Sequence, residues 1–174
     1  MGAWGAVIMS FFGSVFAALT MYWQWGSSGV ALTTPFIVFA AIGLAAAYVI
    51  RVPGSGFAPS EKVERAIMWS SIAEGVGLFL AGNIVMNLHR PELLLPAMAL
   101  VVGLHFVPIA HAASFRAFYI LAAALIASAV IGFVLDAPSG GTVAGFMAAI
   151  GLWIAAMLAV RRDWSAKRGS TLAV

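Results

Sequence analysis

Long apolar stretches separated by short polar turns dominate this sequence. A helix that crosses a bilayer needs about 20 mostly apolar residues, and six stretches meet that requirement. The predicted helices cover about residues 4–25, 30–50, 66–88, 93–112, 115–135 and 142–160. The pattern therefore predicts an all-α fold, an integral membrane bundle of six transmembrane helices that forms a single transmembrane domain over residues 1–174.

Polar residues and helix breakers mark the ends of the predicted helices. The polar connection over residues 51–65 contains Pro, Gly and Ser residues, which break both neighbouring helices. Ser60 is a suitable N-cap for the third helix, and Glu61 is favourable at the positive end of that helix. The polar tail over residues 163–174 is expected to lie in water.

The composition supports a membrane location and excludes several classes of protein. Hydrophobic residues make up 63% of the 174 residues, and charged residues only 9%, whereas about a quarter of an ordinary soluble domain is charged. We therefore exclude a soluble enzyme, a disordered tail and a nucleic-acid binder, and we expect membrane lipids as partners. The absence of cysteine from the sequence excludes disulfides and thiolate metal sites.

The basic residues predict an orientation in the membrane. Lys and Arg accumulate on the cytoplasmic side of membrane proteins. If six helices cross the bilayer and both the N-terminus and the C-terminus are cytoplasmic, Arg90 is the only basic residue outside. The other eight of the nine basic residues then lie inside: Arg51, Lys62, Arg65, Arg116, Arg161, Arg162, Lys167 and Arg168.

Polar side chains inside a span are costly, so they are candidate functional residues. Glu74 is the only carboxylate within a predicted span, and His105 lies in the next helix. In an antiparallel hairpin that turns near Arg90, residues at matched depth have numbers that sum to about 179, as these two do. We therefore expect Glu74 and His105 to face each other or a shared pocket, as a proton- or ligand-binding site or as a contact that only holds helices together.

Four further polar residues are weaker candidates. Asn83 and Asn87 lie four residues apart on the face of the third helix opposite Glu74, where they could bind a ligand or form interhelical hydrogen bonds. His89 and His111 lie at the ends of predicted helices, at the membrane interface. We expect no cofactor, because the histidines are poorly placed for an intrachain haem, and no metal, because Glu74 and His105 are too few for a closed zinc site.

Two short motifs support a resemblance to a known group of proteins. The turn N-L-x-R-P-E-L covers Asn87 to Leu93, and G-L-H-F-x-P covers Gly103 to Pro108. With the sequence around them, from Glu74 to Ala112, they resemble a family of small, uncharacterised bacterial multi-pass inner-membrane proteins. The resemblance implies a bacterial inner (cytoplasmic) membrane location and brings no known activity with it.

These observations leave three function classes open. The first is a small-molecule or proton-coupled permease or binding protein that uses Glu74 and His105. The second is a non-catalytic structural or accessory subunit of a larger membrane complex. An intramembrane enzyme is the weakest class, because no nucleophile with a base is recognisable. A permease of six helices favours a homodimer, for which small residues could form the interface: Gly13, Ala17, Gly43, Ala47, Gly145 and Ala149.

Overall fold

Six α-helices account for most of the residues that the structure describes. This computed structural model describes residues 2–56 and 58–171, without the side chains of residues 170 and 171. The described residues contain no strand, and all six helices are long and apolar enough to cross a membrane. The helices are α1 (Ala3–Trp25), α2 (Pro35–Arg51), α3 (Glu61–Asn87), α4 (Leu94–Ala113), α5 (Arg116–Val134) and α6 (Ser139–Thr171). Short 3-10 turns over Gly29–Thr33 and Pro91–Leu93 precede α2 and α4.

The helices pack in an order that differs from their order in the chain. The first and last helices, α1 and α6, form the most extensive contact. On α6 packs α5, and on α5 packs α4, so these two helices extend the core. The second helix packs on α1 and α6, whereas α3 packs chiefly on α4. As a result α3 is peripheral: 6% of its apolar stretch is buried, against 50% for α1.

Small residues allow α1 and α6 to approach closely. A Cβ atom on Gly13 would come within 2.8 Å of the Trp153 ring, and a Cβ on Gly145 would overlap the Thr20 hydroxyl. The Trp153 Nε1 also donates to the Ser10 carbonyl and to the Ser14 hydroxyl, each at 3.3 Å. Glycine at these positions therefore brings the helix backbones close enough for van der Waals contact and hydrogen bonds between helices.

The prediction that small residues form an interface between two copies is wrong for four of the six residues named. Gly13, Ala17, Gly145 and Ala149 are all buried within one chain, and Gly13 and Gly145 lie in the contact between α1 and α6. Their small side chains already serve a helix contact within the molecule, so they cannot also face a second copy. A homodimer remains a prediction that would need a different surface.

The end of α6 corrects another expectation. The predicted helix ended near Val160, with residues 163–174 in water, but α6 continues to Thr171. Asp163 and Lys167 are each only 7% exposed. Residues 172–174 lie outside the described part of the chain. The third helix begins at Glu61, ahead of the predicted span of residues 66–88, and Ser60 is its N-cap residue as predicted, although its side chain makes no hydrogen bond to the helix.

The buried charges of α6 are satisfied by the ends of other helices. Free N–H groups give a helix start a partial positive charge, and free carbonyls give a helix end a partial negative charge. The Asp163 carboxylate accepts from the backbone N–H of Ala3, at the start of α1, at 3.1 Å. The Lys167 ammonium donates to three carbonyls at the end of α2, at 2.8–3.0 Å: Val49, Ile50 and Val52. These contacts explain why the charged segment folds onto the bundle.

The same contacts show which helix ends lie together. Successive helices run in opposite directions, so the starts of α1, α3 and α5 lie with the ends of α2, α4 and α6. Besides the contacts of Asp163 and Lys167, the Arg162 guanidinium lies 4.3 Å from the Phe115 ring centre, just before α5. All basic residues except Arg90 belong to this end of the bundle, which we call the basic end.

We expect Lys167→Met to lower the free energy of unfolding by about 1–3 kcal/mol, because buried carbonyls at the end of α2 lose their donor. Lys62→Met is the matched control, since Lys62 is exposed at the start of α3. Unfolding of both variants in detergent, followed by circular dichroism, measures the difference. Equal stability of the two variants would contradict the contact.

Candidate functional site

Glu74 and His105 form a close pair between α3 and α4. The Glu74 Oε2 and the His105 Nδ1 lie 3.3 Å apart, and their side chains are only 14% and 7% exposed. The two helices are antiparallel and joined by a tight turn in which Arg90 pairs with Glu92. The prediction that Glu74 and His105 lie at one depth and face each other is therefore confirmed.

The pair is in electrostatic contact but is not joined by a well-aligned hydrogen bond. The His105 Nδ1 is fully buried and has no hydrogen-bond partner among the described residues, although the Glu74 oxygen is near. The Phe106 ring packs edge-on against the imidazole, with 5.1 Å between ring centres. Most buried polar atoms in proteins are hydrogen-bonded, and the Glu74 carboxylate is the polar group that lies beside the His105 Nδ1.

A cavity of about 280 Å³ adjoins the pair. Its walls come from α1, α3, α4 and α6, and its polar lining side chains are Ser71, Glu74 and His105. The remaining lining residues are apolar or glycine: Gly5, Ile8, Met9, Phe12, Ile67, Gly75, Leu78, Val102, Phe106 and Leu152. The arrangement places a carboxyl and an imidazole in surroundings that are otherwise apolar, where electrostatic interactions are stronger than in water.

The cavity exists because α1 and α3 pack on different neighbours. The first helix packs against α6 and α2, whereas α3 packs against α4. This arrangement leaves a cleft between α1 and α3. On the α1 side of the cleft, Ile8 is 57% exposed and Phe12 38% exposed. On the α3 side, a Cβ on Gly75 would meet no atom within 4 Å. The cavity therefore opens through the side of the bundle, between α1 and α3.

The asparagines lie away from the cavity. The Asn83 side chain donates its Nδ2 to the Phe79 carbonyl of its own helix at 2.7 Å, and it is exposed. Asn87 is exposed at the last residue of α3. Neither residue lines the cavity, in agreement with their predicted position on the opposite face of α3.

The two other histidines belong to helix ends. His89 follows α3 in the left-handed region, with φ of 56°, and the next N–H, that of Arg90, closes the helix by donating to the Val85 carbonyl at 3.1 Å. His111 is exposed in the last turn of α4, with its Nδ1 3.4 Å from the Tyr119 hydroxyl. The structure brings neither residue to Glu74 and His105.

Sequence reasoning missed two parts of the site. Ser71 lies three residues before Glu74 and therefore on the same helix face, a signal that was available in the sequence. The wall from α1 had no such signal, because the residues that α1 contributes to it, Gly5, Ile8, Met9 and Phe12, are apolar or glycine. Among the described residues no group of three or more His, Cys, Asp and Glu side chains could hold a metal ion.

Comparisons with known proteins do not identify the site. No protein-family model, no curated protein and no solved structure matches the chain. The chemistry of the cavity is therefore inferred from Glu74, His105 and the walls around them.

We expect a membrane-soluble carbodiimide, which modifies protonated carboxyls in apolar surroundings, to label Glu74 through the opening between α1 and α3. Gly75→Leu should slow the labelling several-fold, because the new side chain extends into open space at the cavity wall. Gly82→Leu is the control: Gly82 lies on the same helix and also has open space, but it does not line the cavity. Mass spectrometry of the Glu74 peptide measures the rate, and equal rates in the two variants would contradict the proposed route.

Proposed function

We propose that the chain is a multi-pass protein of a bacterial inner membrane, with six spanning helices and both termini in the cytoplasm. The six long apolar helices support this proposal. Because cytoplasmic loops are enriched in Lys and Arg, the gathering of basic residues at one end supports the orientation. The resemblance of residues 74–112 to a bacterial inner-membrane family supports the location.

This topology is tested by labelling single cysteines in the cysteine-free chain. We expect a membrane-impermeant maleimide to label Ser28→Cys, between α1 and α2, on intact spheroplasts. Ser165→Cys, at the basic end, should react only after the membrane is permeabilised, although both serines are exposed. The reverse pattern would show that the basic end faces outward.

We propose that the cavity binds a small, mainly apolar molecule that carries one polar or ionisable group, and that binding is linked to a proton on Glu74 or His105. The protein would act as a permease or as a binding protein for this molecule. The observation that carries the proposal is that the Glu74–His105 pair, 3.3 Å apart, lines an open cavity. A pair that only joined two helices would be expected in a filled contact.

The cavity limits the class of ligand. Its volume of about 280 Å³ is at the lower end of the range of about 300–1,000 Å³ for ligand pockets, so the molecule must be small. The walls favour an apolar body, and Glu74, His105 and Ser71 favour one polar group at the inner end. Because the opening faces sideways, such a molecule would enter from the bilayer.

We expect Glu74→Gln to abolish proton-linked binding while the protein stays folded, because glutamine keeps the shape of the side chain but cannot ionise. A panel of small hydrophobic amines and weak acids can be screened by thermal shift in nanodiscs, at acid and at alkaline pH. A ligand of the wild type should lose at least about tenfold in affinity in the variant, equivalent to about 1.4 kcal/mol. Asn83→Gln is the control, since Asn83 is outside the cavity.

A silent Glu74→Gln together with a mildly destabilising Glu74→Leu would instead indicate that the pair only holds α3 against α4. That outcome would favour the second candidate function, an accessory subunit of a membrane complex. The peripheral position of α3 favours this candidate, because α3 offers a long apolar surface that has α4 as its main neighbour in the chain.

A further inference from the structure

A second apolar groove lies between α2 and α6, separate from the Glu74 cavity. Its volume is about 550 Å³. The groove walls are apolar, and larger polar or aromatic side chains lie where it approaches the basic end. The residues that line the groove are Ala41, Ile42, Ala45, Tyr48, Val49, Met157, Val160, Arg161 and Trp164. Such an apolar groove is suited to binding a hydrocarbon chain.

The mouth of the groove combines cations with aromatic rings. Arg161, Trp164 and Arg168 follow one another at helical spacing along one face of α6. The Trp164 ring lies 5.5 Å from the Tyr48 ring, and the Arg168 guanidinium lies 4.5 Å from the Trp164 ring centre. Tyrosine and tryptophan are enriched at the level of lipid headgroups, so the mouth has the composition of a membrane interface.

Arg161 is the residue that gives this groove a charge preference. It is exposed and lines the groove, and no carboxylate within residues 2–56 and 58–171 pairs with it. The nearest acid in the sequence, Asp163, points to the start of α1, where it accepts from the Ala3 N–H. A guanidinium forms two parallel hydrogen bonds with a phosphate, so Arg161 suits an anionic group at the mouth.

We propose that the α2–α6 groove is a binding site for an anionic phospholipid. One acyl chain lies along the apolar walls between α2 and α6, and the phosphate lies at Arg161, with Arg168 adding a second positive charge. A zwitterionic lipid would bring its own cation close to both arginines, so it binds less well. Basic pockets between helices are a recognised means of holding anionic lipids.

A groove on the other side of α6 shows why the α2–α6 groove is the better site. That groove lies between α5 and α6 and is smaller, at about 210 Å³. The arginine at its mouth, Arg162, already stacks on the Phe115 ring. Arg162 is partly buried against this ring, whereas Arg161 is exposed, lines the α2–α6 groove and has no acidic partner among the described residues.

Native mass spectrometry of delipidated protein tests the site, with phosphatidylglycerol and phosphatidylcholine of identical chains as probes. We expect phosphatidylglycerol to bind several-fold more tightly. Arg161→Gln combined with Arg168→Gln should remove this preference and leave phosphatidylcholine binding unchanged. Arg116→Gln is the charge-matched control for Arg161→Gln alone, because Arg116 is exposed at the basic end but does not line the groove.

Two further variants distinguish a specific lipid site in the groove from non-specific electrostatic attraction of anionic lipid to the basic end. Ala45→Trp should weaken binding of both lipids by filling the groove, while Arg161→Gln alone should weaken only the anionic lipid. Arg161 is exposed, so its substitution leaves the fold intact even if the tryptophan variant fails to fold. Equal binding of the two lipids by the wild type, or equal losses in Arg161→Gln and Arg116→Gln, would overturn the proposal.

Discussion

The close contact between α1 and α6 is the constraint on which the rest of the fold depends. Lipid tails are as apolar as the side chains, so spanning helices associate through tight packing and hydrogen bonds. Gly13 and Gly145 provide the close approach, and Trp153 provides hydrogen bonds to α1. With the first and last helices joined, α2 is held on one side of them, and α5 and α4 extend the core on the other.

The cavity follows from this arrangement. Because α6 and α2 occupy the neighbourhood of α1, α3 packs chiefly on α4 and leaves a cleft beside α1. Glu74 is carried by the least buried helix, yet its own side chain is largely enclosed by His105 and the cavity walls. A polar pair on an incompletely packed helix combines a fixed partner on one side with open space on the other, and this geometry is what supports the proposed binding function.

The sequence predicts the features that depend on local pattern, and it does not predict those that depend on helix neighbours. Spans follow from hydropathy, and the depth of Glu74 and His105 follows from the length of one hairpin. The α1 wall of the cavity was not predicted, because its residues are apolar or glycine and have no pattern that distinguishes a cavity wall from a lipid-facing surface. The burial of Asp163 and Lys167 was missed for a related reason. Charged side chains predict a position in water. Only in the folded bundle do the start of α1 and the end of α2 lie close enough to bind Asp163 and Lys167.

The pairing of α1 with α6 also determines when the fold can be completed. The N-terminal part of a chain is synthesised first, so α1 is made before α6. Until α6 arrives, the small-residue face of α1 has no matching helix, and the carbonyls at the end of α2 lack the Lys167 ammonium. An intermediate without α6 therefore lacks the main neighbour of α1, and the arrival of α6 completes the contacts of both α1 and α2.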